Sequence, residues 1–155
     1  MPRRTEDDFI EDVGQYMSGL GVPRMAGRMW AWLLLTDPEP QSAQEIAERL
    51  RASRGAVSGA ARVLTANGLI RRSRRPGDRR EFYAVPSDSV QVMMGSYEPR
   101  VRALRELAEE GLELVEDRPP PAGAGLRTMR DLCMVFEAAW PSLLEQFNQE
   151  RTSRP

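Results

Sequence analysis

The stretch SAQEIAERLRASRGAVSGAARVLTANGLIRRSRRPGDRREFYAV runs from Ser42 to Val85. Its first nine residues place Ala43, Ile46, Ala47 and Leu50 on one helical stripe, behind a Ser42-x-x-Glu45 capping box. Only Arg51 and Ala52 separate that helix from the next, which Ser53 caps. Val57, Ala60 or Ala61, and Leu64 form the inward face of the second helix, and Gly68 stops it after Asn67. Two short extended runs then flank Pro76-Gly77-Asp78, which is hairpin chemistry. Phe82 and Ala84 face one way in the second run, Tyr83 and Val85 the other. Two short helices with a tight turn, followed directly by a hairpin, predict a winged helix-turn-helix.

The same stretch holds an unusual concentration of charge. Six of the ten residues from Arg71 to Arg80 are arginine, and Asp78 is the one acid among them. From Arg49 to Arg80 there are ten arginines against that single acid, a local charge of +9 in a chain whose net charge is -1. Such asymmetry implies a polyanionic partner, and on a winged helix the partner is double-stranded DNA. All 22 basic residues are arginine, whose planar fork suits phosphates and guanine edges. The bland reading, a solvated basic surface, loses ground because the hairpin follows a helix-turn-helix.

Outward from the motif, Glu6 to Ser18 read as a helix that Gly19 and Gly21 break. Pro23 suits the first position of the next helix, PRMAGRMWAWLLL, which is apolar on most faces. Past the wing, Val90, Met94, Tyr97, Val101, Leu104, Ala108, Gly111 and Val115 recur at alternating spacings of four and three, a heptad-like seam. After the breaker DRPPPAGAG, a last helix carries Met129, Leu132, Cys133, Phe136, Trp140, Leu143 and Phe147 on one stripe. That is more apolar surface than two helices can hide from water, so a second copy of the chain is expected to cover it. The predicted class is mainly α with a small β-hairpin wing and long dimerisation helices. The predicted segments are residues 1–20 (N-terminal dimerisation helix), 21–86 (winged helix-turn-helix DNA-binding domain) and 87–150 (C-terminal dimerisation helices).

Composition narrows the function. The chain has no histidine and one cysteine, which removes the commonest general base, the commonest metal ligand and any internal disulfide. The carboxylates form no pattern with a nucleophile or a phosphate loop. No catalytic residue, metal or cofactor is expected, and an enzyme is the weakest reading. The longest apolar run is too short for a bilayer, and the opening residues turn acidic at once, so a cytoplasmic protein is expected, with no membrane partner and nucleoid-associated when bound to DNA.

Candidate DNA contacts follow from position. Ser53, Arg54, Ser58 and Arg62 are the polar residues of the second helix, while Gly55 and Gly59 remove bulk that would hold it off the bases. Arg71, Arg72, Arg74 and Arg75 supply phosphate contacts on the first wing strand. Asp78 can fix an arginine fork, presenting Arg79 or Arg80 to a narrow minor groove. Met25, Met29, Trp30 and Trp32 read as core, or as one wall of an apolar ligand pocket. Phe136 and Trp140 on the last helix would be its other wall. Acids are scarce near these residues in sequence, which argues against a cationic ligand. Cys133 reads as an inert buried thiol.

At these residues the chain resembles MarR-type repressors, in particular their GbsR-like branch. The likeness runs from about Asp8 to Phe147, including RALRELAEEGLELVED and RTMRDLCMVFEAAW. It is closest to actinobacterial and mycobacterial regulators of efflux and lipid-export pumps. PGDRR is its most specific piece. The resemblance implies that Asp78 orients Arg80 into the minor groove with Arg79 beside it. It also implies a homodimer made through the terminal helices, and a repressor released by a small lipophilic molecule bound between the dimerisation and DNA-binding parts. Pro99 and Pro141 depart from the pattern and leave the helix geometry there open. The rival readings are a winged-helix protein-interaction module and an activator without ligand control.

Overall fold

The structure, a computed structural model, describes residues 4–153. They fall into two compact units, one running through Met93 and the other starting at Met94. The first holds helices α1 (Glu6–Gly19), α2 (Arg24–Thr36), α3 (Ala43–Leu50) and α4 (Arg54–Ala66), with strands β1 (Gln41–Ser42), β2 (Arg71–Arg74) and β3 (Glu81–Ala84). Helix α5 (Ser89–Gly95) spans the boundary, and α6 (Tyr97–Glu113) and α7 (Ala124–Ser153) form the second unit.

Local chemistry sets the helix starts. Thr5 accepts from the Asp8 N–H and Asp8 reaches back to the Thr5 N–H, a capping box that the sequence reading passed over. Ser42 and Glu45 close the same box on α3, with the Ser42 N–H donating to Glu45 Oε2 at 2.6 Å. Ser53 caps α4 by accepting from the Ala56 N–H. Pro23 is the N-cap of α2, one place earlier than expected. Between α3 and α4 the chain turns on Arg51, at φ 50°. At the end of α4, Gly68 has φ 69°, and a Cβ there would sit 2.7 Å from Val92 Cγ1.

The core of the first unit draws on every helix from α1 to α4. Ile10 and Met17 meet Met29, Trp30 and Leu33, then Ile46, Leu50, Val57, Ala60, Ala61 and Leu64, closed by Leu69, Ile70 and Tyr83. Both alternatives offered for α4, Ala60 and Ala61, are buried. Helices α1 and α2 cross almost backbone to backbone: a Cβ on Gly27 would lie 2.9 Å from the Gly14 Cα. Helix α1 therefore packs within the winged-helix unit, whereas the sequence set residues 1–20 apart, and the boundary falls after 93 rather than 86. The dimerisation role assigned to that helix remains a proposal.

The sheet has the order β1-β3-β2, all antiparallel. The hairpin matches expectation, but the third strand does not appear in the sequence reading. Gln41 and Ser42 pair with Tyr83 and Phe82, so the capping serine of α3 is also a sheet residue, joining the helix-turn-helix to the wing.

In the second unit α6 packs on α7. A Cβ on Gly111 would lie 3.0 Å from Leu126 Cδ1, and Arg105 Nε donates to Glu137 Oε2 at 2.9 Å. The seam from Val90 to Val115 is interrupted at Ser96, between the end of α5 and the start of α6, close to where Pro99 calls for a kink or restart. Pro99 is the third residue of α6, in the first turn where an amide proton has no intrahelical acceptor, so it restarts the helix at little cost. Pro141 sits inside α7, which continues past it. The last stripe splits in two: Cys133 and Trp140 are buried, while Leu132 and Leu143 stay exposed.

Candidate nucleic-acid interface

Helix α4 shows one face to the core and one to solvent. Arg54, Ser58 and Arg62, spaced by four, are exposed and share a stripe. The guanidinium groups of Arg54 and Arg62 make no ion pair or hydrogen bond among the described residues. Gly59 has nothing within 4 Å of where a Cβ would stand, and Gly55 only the Ser53 hydroxyl at 3.9 Å. The outer surface of α4 is therefore low and cationic, a shape that lets a helix backbone lie close in a major groove. Ser53 is exposed, but its oxygen already accepts the Ala56 N–H, which leaves its hydroxyl proton to donate.

The wing is more constrained than its composition suggests. All four residues of β2 are exposed. Arg72 Nη1 and Arg74 Nη2 both donate to Glu81 Oε1, at 3.1 and 3.0 Å. The register explains this, because Arg74 is paired across the strands with Glu81. Arg71 lies 3.4 Å from Asp88. These are exposed pairs of small net worth, easily exchanged for phosphate. The charge count stopped at Arg80, one residue short of Glu81. It also credited Arg49, whose guanidinium is spent on α1, on Asp7 at 2.6 Å and Glu6 at 3.1 Å, while lying 4.8 Å from the centre of the Trp32 ring.

At the tip, Gly77 has φ 79° and makes the turn after Pro76. Asp78 holds Arg80 by four bonds: backbone N to Oδ1 at 2.9 Å, Nε to Oδ1 and Oδ2 at 3.1 and 3.0 Å, and Nη2 to Oδ2 at 2.7 Å. Hydrogen bonds from the Arg80 side chain, then from its backbone, keep the Asp78 carboxyl below the usual range. Arg79 is exposed and makes no ion pair or hydrogen bond among the described residues. Arg75 lies 4.3 Å from the Phe82 ring centre. The Glu45 carboxyl is also lowered, first by hydrogen bonds with Ser42, with the fields of Arg80 and Arg75 adding to the effect. The cap of α3 thus sits within the field of the wing's cations.

The eleven residues proposed for DNA divide by element, with Arg71 the first residue of β2. Ser53, Arg54, Ser58 and Arg62 lie at or on α4, and Arg72, Arg74, Arg75, Asp78, Arg79 and Arg80 on the hairpin, all within the first unit. Glu81, Glu45 and Phe82 also stand among the wing arginines, although the sequence pattern marked Glu45 only as a cap, Phe82 only by its face and Glu81 not at all. For Glu81 the signal was available, since counting back across the hairpin sets it opposite Arg74.

The residues proposed for a ligand scatter more. Met29 and Trp30 belong to the core of the first unit, and Met25 and Trp32 are half-buried beside it. Met25 borders an open cleft with Glu11, Arg24 and Arg28. The acids that are absent near Met25 in sequence are supplied by the fold, because Glu11 bonds both Arg24 and Arg28. In the second unit Phe136 and Trp140 stack with ring centres 5.3 Å apart. The indole N–H groups of Trp30, Trp32 and Trp140 are buried without an acceptor. Cys133 is buried, as expected.

Comparison with known proteins fits this geometry. Residues 33–82 match the model of the MarR family. Residues 88–150 match a model described as MmpR5-like MarR family transcriptional regulator. The chain is 38% identical over 145 residues to the HTH-type transcriptional regulator MmpR5 of Mycobacterium tuberculosis (strain ATCC 25618 / H37Rv), across 92% of this chain and 86% of that one. It is also similar to a solved structure titled as that of a transcriptional regulator, with 35% identity and a TM-score of 0.75, covering 93% of this chain and 98% of the other. No described helix is long and apolar enough to cross a membrane.

Proposed function

The chain belongs to the MarR family of winged-helix transcriptional regulators, and on that premise we propose that this DNA-binding regulator is a homodimeric repressor released by a small apolar ligand. The family and these relatives are regulators of transcription, not enzymes. The observation that carries the reading is the exposed arginine surface of the first unit, in which α4 offers two unpaired arginines and the wing offers one pinned and one free. Helix α4 would read the major groove and the wing the backbone and minor groove.

Dimerisation is supported by the second unit's own surface. Leu107, Leu114, Leu132 and Val135 are 60–79% exposed on α6, its C-terminal cap and α7. Apolar side chains in that number and at helical spacing suit a second copy of the same helices. Two wings would then meet half-sites about 34–36 Å apart. The test is to sequence the genomic fragments that the purified protein retains and to sediment it at micromolar concentration. A shared palindromic site and a dimer are expected. A compact monomer overturns the dimer, and failure to retain any duplex at low salt favours the protein-interaction reading.

Release by ligand is supported by the enclosed indole donors of Trp30 and Trp32, since a buried N–H without an acceptor costs about 1–3 kcal/mol. A molecule with an apolar body and an acceptor would recover part of that. By linkage it releases DNA only to the extent that it binds the DNA-free state more tightly. Apolar compounds that dissociate the complex are expected to change tryptophan emission, and Met25→Ala with Met29→Ala should blunt release. Unchanged emission on release, or release indifferent to both substitutions, defeats the idea. Control of an efflux or lipid-export gene rests on the resemblance of the sequence to regulators of such pumps.

A further inference from the structure

Phe82 is 2% exposed, yet it stands outside the main apolar cluster of its unit, to which its neighbour Tyr83 belongs. Its cross-strand partners are both serine, Ser42 on β1 and Ser73 on β2. Side chains so short leave an aromatic ring largely uncovered on that side of the sheet. Two wing arginines stand there instead, with Arg75 Cζ 4.3 Å and Arg80 Cζ 5.3 Å from the ring centre. Both lie within the reach of a cation–π contact. Two guanidiniums gathered at one ring repel each other, and Asp78, bonded to Arg80, offsets part of that repulsion.

We propose that Phe82 is a positioning residue for DNA binding, its ring holding Arg75 and Arg80 together as a paired cation beside the tip of the wing. The role rests on the DNA-interface reading above and adds to it how the wing cations are aimed. Asp78 fixes Arg80 from the tip side and Phe82 from the sheet side, so the guanidinium reaches DNA with little rotamer freedom left to lose. Arg75, whose position no acid fixes directly, is held by the ring. The small cross-strand serines are then part of the device, since a bulky residue at position 73 would compete with the arginines for the ring.

The test replaces Phe82 with mono-, di- and trifluorinated phenylalanine, which keep its shape closely while draining the negative face that attracts cations. The probe is a duplex with a central A-tract, whose narrow minor groove concentrates negative potential. Affinity is expected to fall stepwise with fluorination, to a total of about 2- to 5-fold per wing. Phe82→Leu should reach the same loss with its circular dichroism unchanged, and fluorination should lose most of its effect only when both cations are removed, in an Arg75→Ala, Arg80→Ala background. A ring needed only for packing would respond to none of the fluorines. Affinity independent of fluorination, in a protein that Arg80→Ala still weakens, overturns this role alone. Failure of the unsubstituted protein to bind the duplex overturns the role and the interface together.

Discussion

Raising the salt concentration from 50 to 200 mM is expected to weaken duplex binding by about 10³- to 10⁵-fold, if six to ten arginines across a dimer meet phosphates. Each arginine that neutralises a phosphate releases a condensed counterion, and that release loses its advantage as bulk salt rises. Exposed arginines on α4 and the hairpin suffice for that number in two chains. The internal pairs do not prevent it. Arg72 and Arg74 share one carboxylate oxygen of Glu81, and each is more than half exposed. A phosphate can replace Glu81 as their partner with little loss. Arg49 should not contribute, because it is mostly covered and bound to Glu6 and Asp7. Titration at several salt concentrations gives the slope directly. A flat response would mean that the basic surface is not on the DNA.

The elements that hold this candidate interface were legible in the sequence because their local rules are strong. Serine at positions 42 and 53, the helical spacing of Ile46, Leu50, Val57 and Leu64, and glycine at 68 and 77 each act within a few residues. Together they are enough to place α3, α4 and the turn of the wing. What escaped depends on long-range pairing. Strand β1 is two residues long and exists because β3 lies beside it, so no periodicity could mark it. Glycines 14 and 27 look like helix weakeners until the crossing of α1 and α2 shows each filling a gap that no side chain could. Spacing alone does not register the break at Ser96, but Pro99, which cannot continue a helix from the preceding turn, marks the restart. Tyr83 and Phe82 point to opposite faces, as alternation requires. Only the fold shows that Tyr83 meets a core and Phe82 meets arginines. The acids around Met25 were absent from its own segment and came from α1.

The wing tip separates orientation from simple attraction. Arg80→Ala is expected to cost about 1–3 kcal/mol of binding at each wing and to lower the salt slope by about one per wing. Arg118→Ala, an exposed arginine of the second unit, serves as the control and should change little. Asp78→Ala removes an acid from a cationic surface, so net charge alone predicts tighter binding. The geometry predicts weaker binding, because Asp78 makes every side-chain hydrogen bond that fixes Arg80. Without them the guanidinium must be ordered by the DNA itself, and that entropy is charged to the complex. The double substitution should lose about as much as Arg80→Ala alone, since Asp78 acts through Arg80. Acidity gives an independent check. The Asp78 carboxyl sits below the usual aspartate range because Arg80 donates to it. Its effect on binding should therefore persist as pH falls through that range, and disappear only beneath it, when the proton returns. Tighter binding by Asp78→Ala at neutral pH would show that the wing works by charge alone and that the pinned fork is incidental.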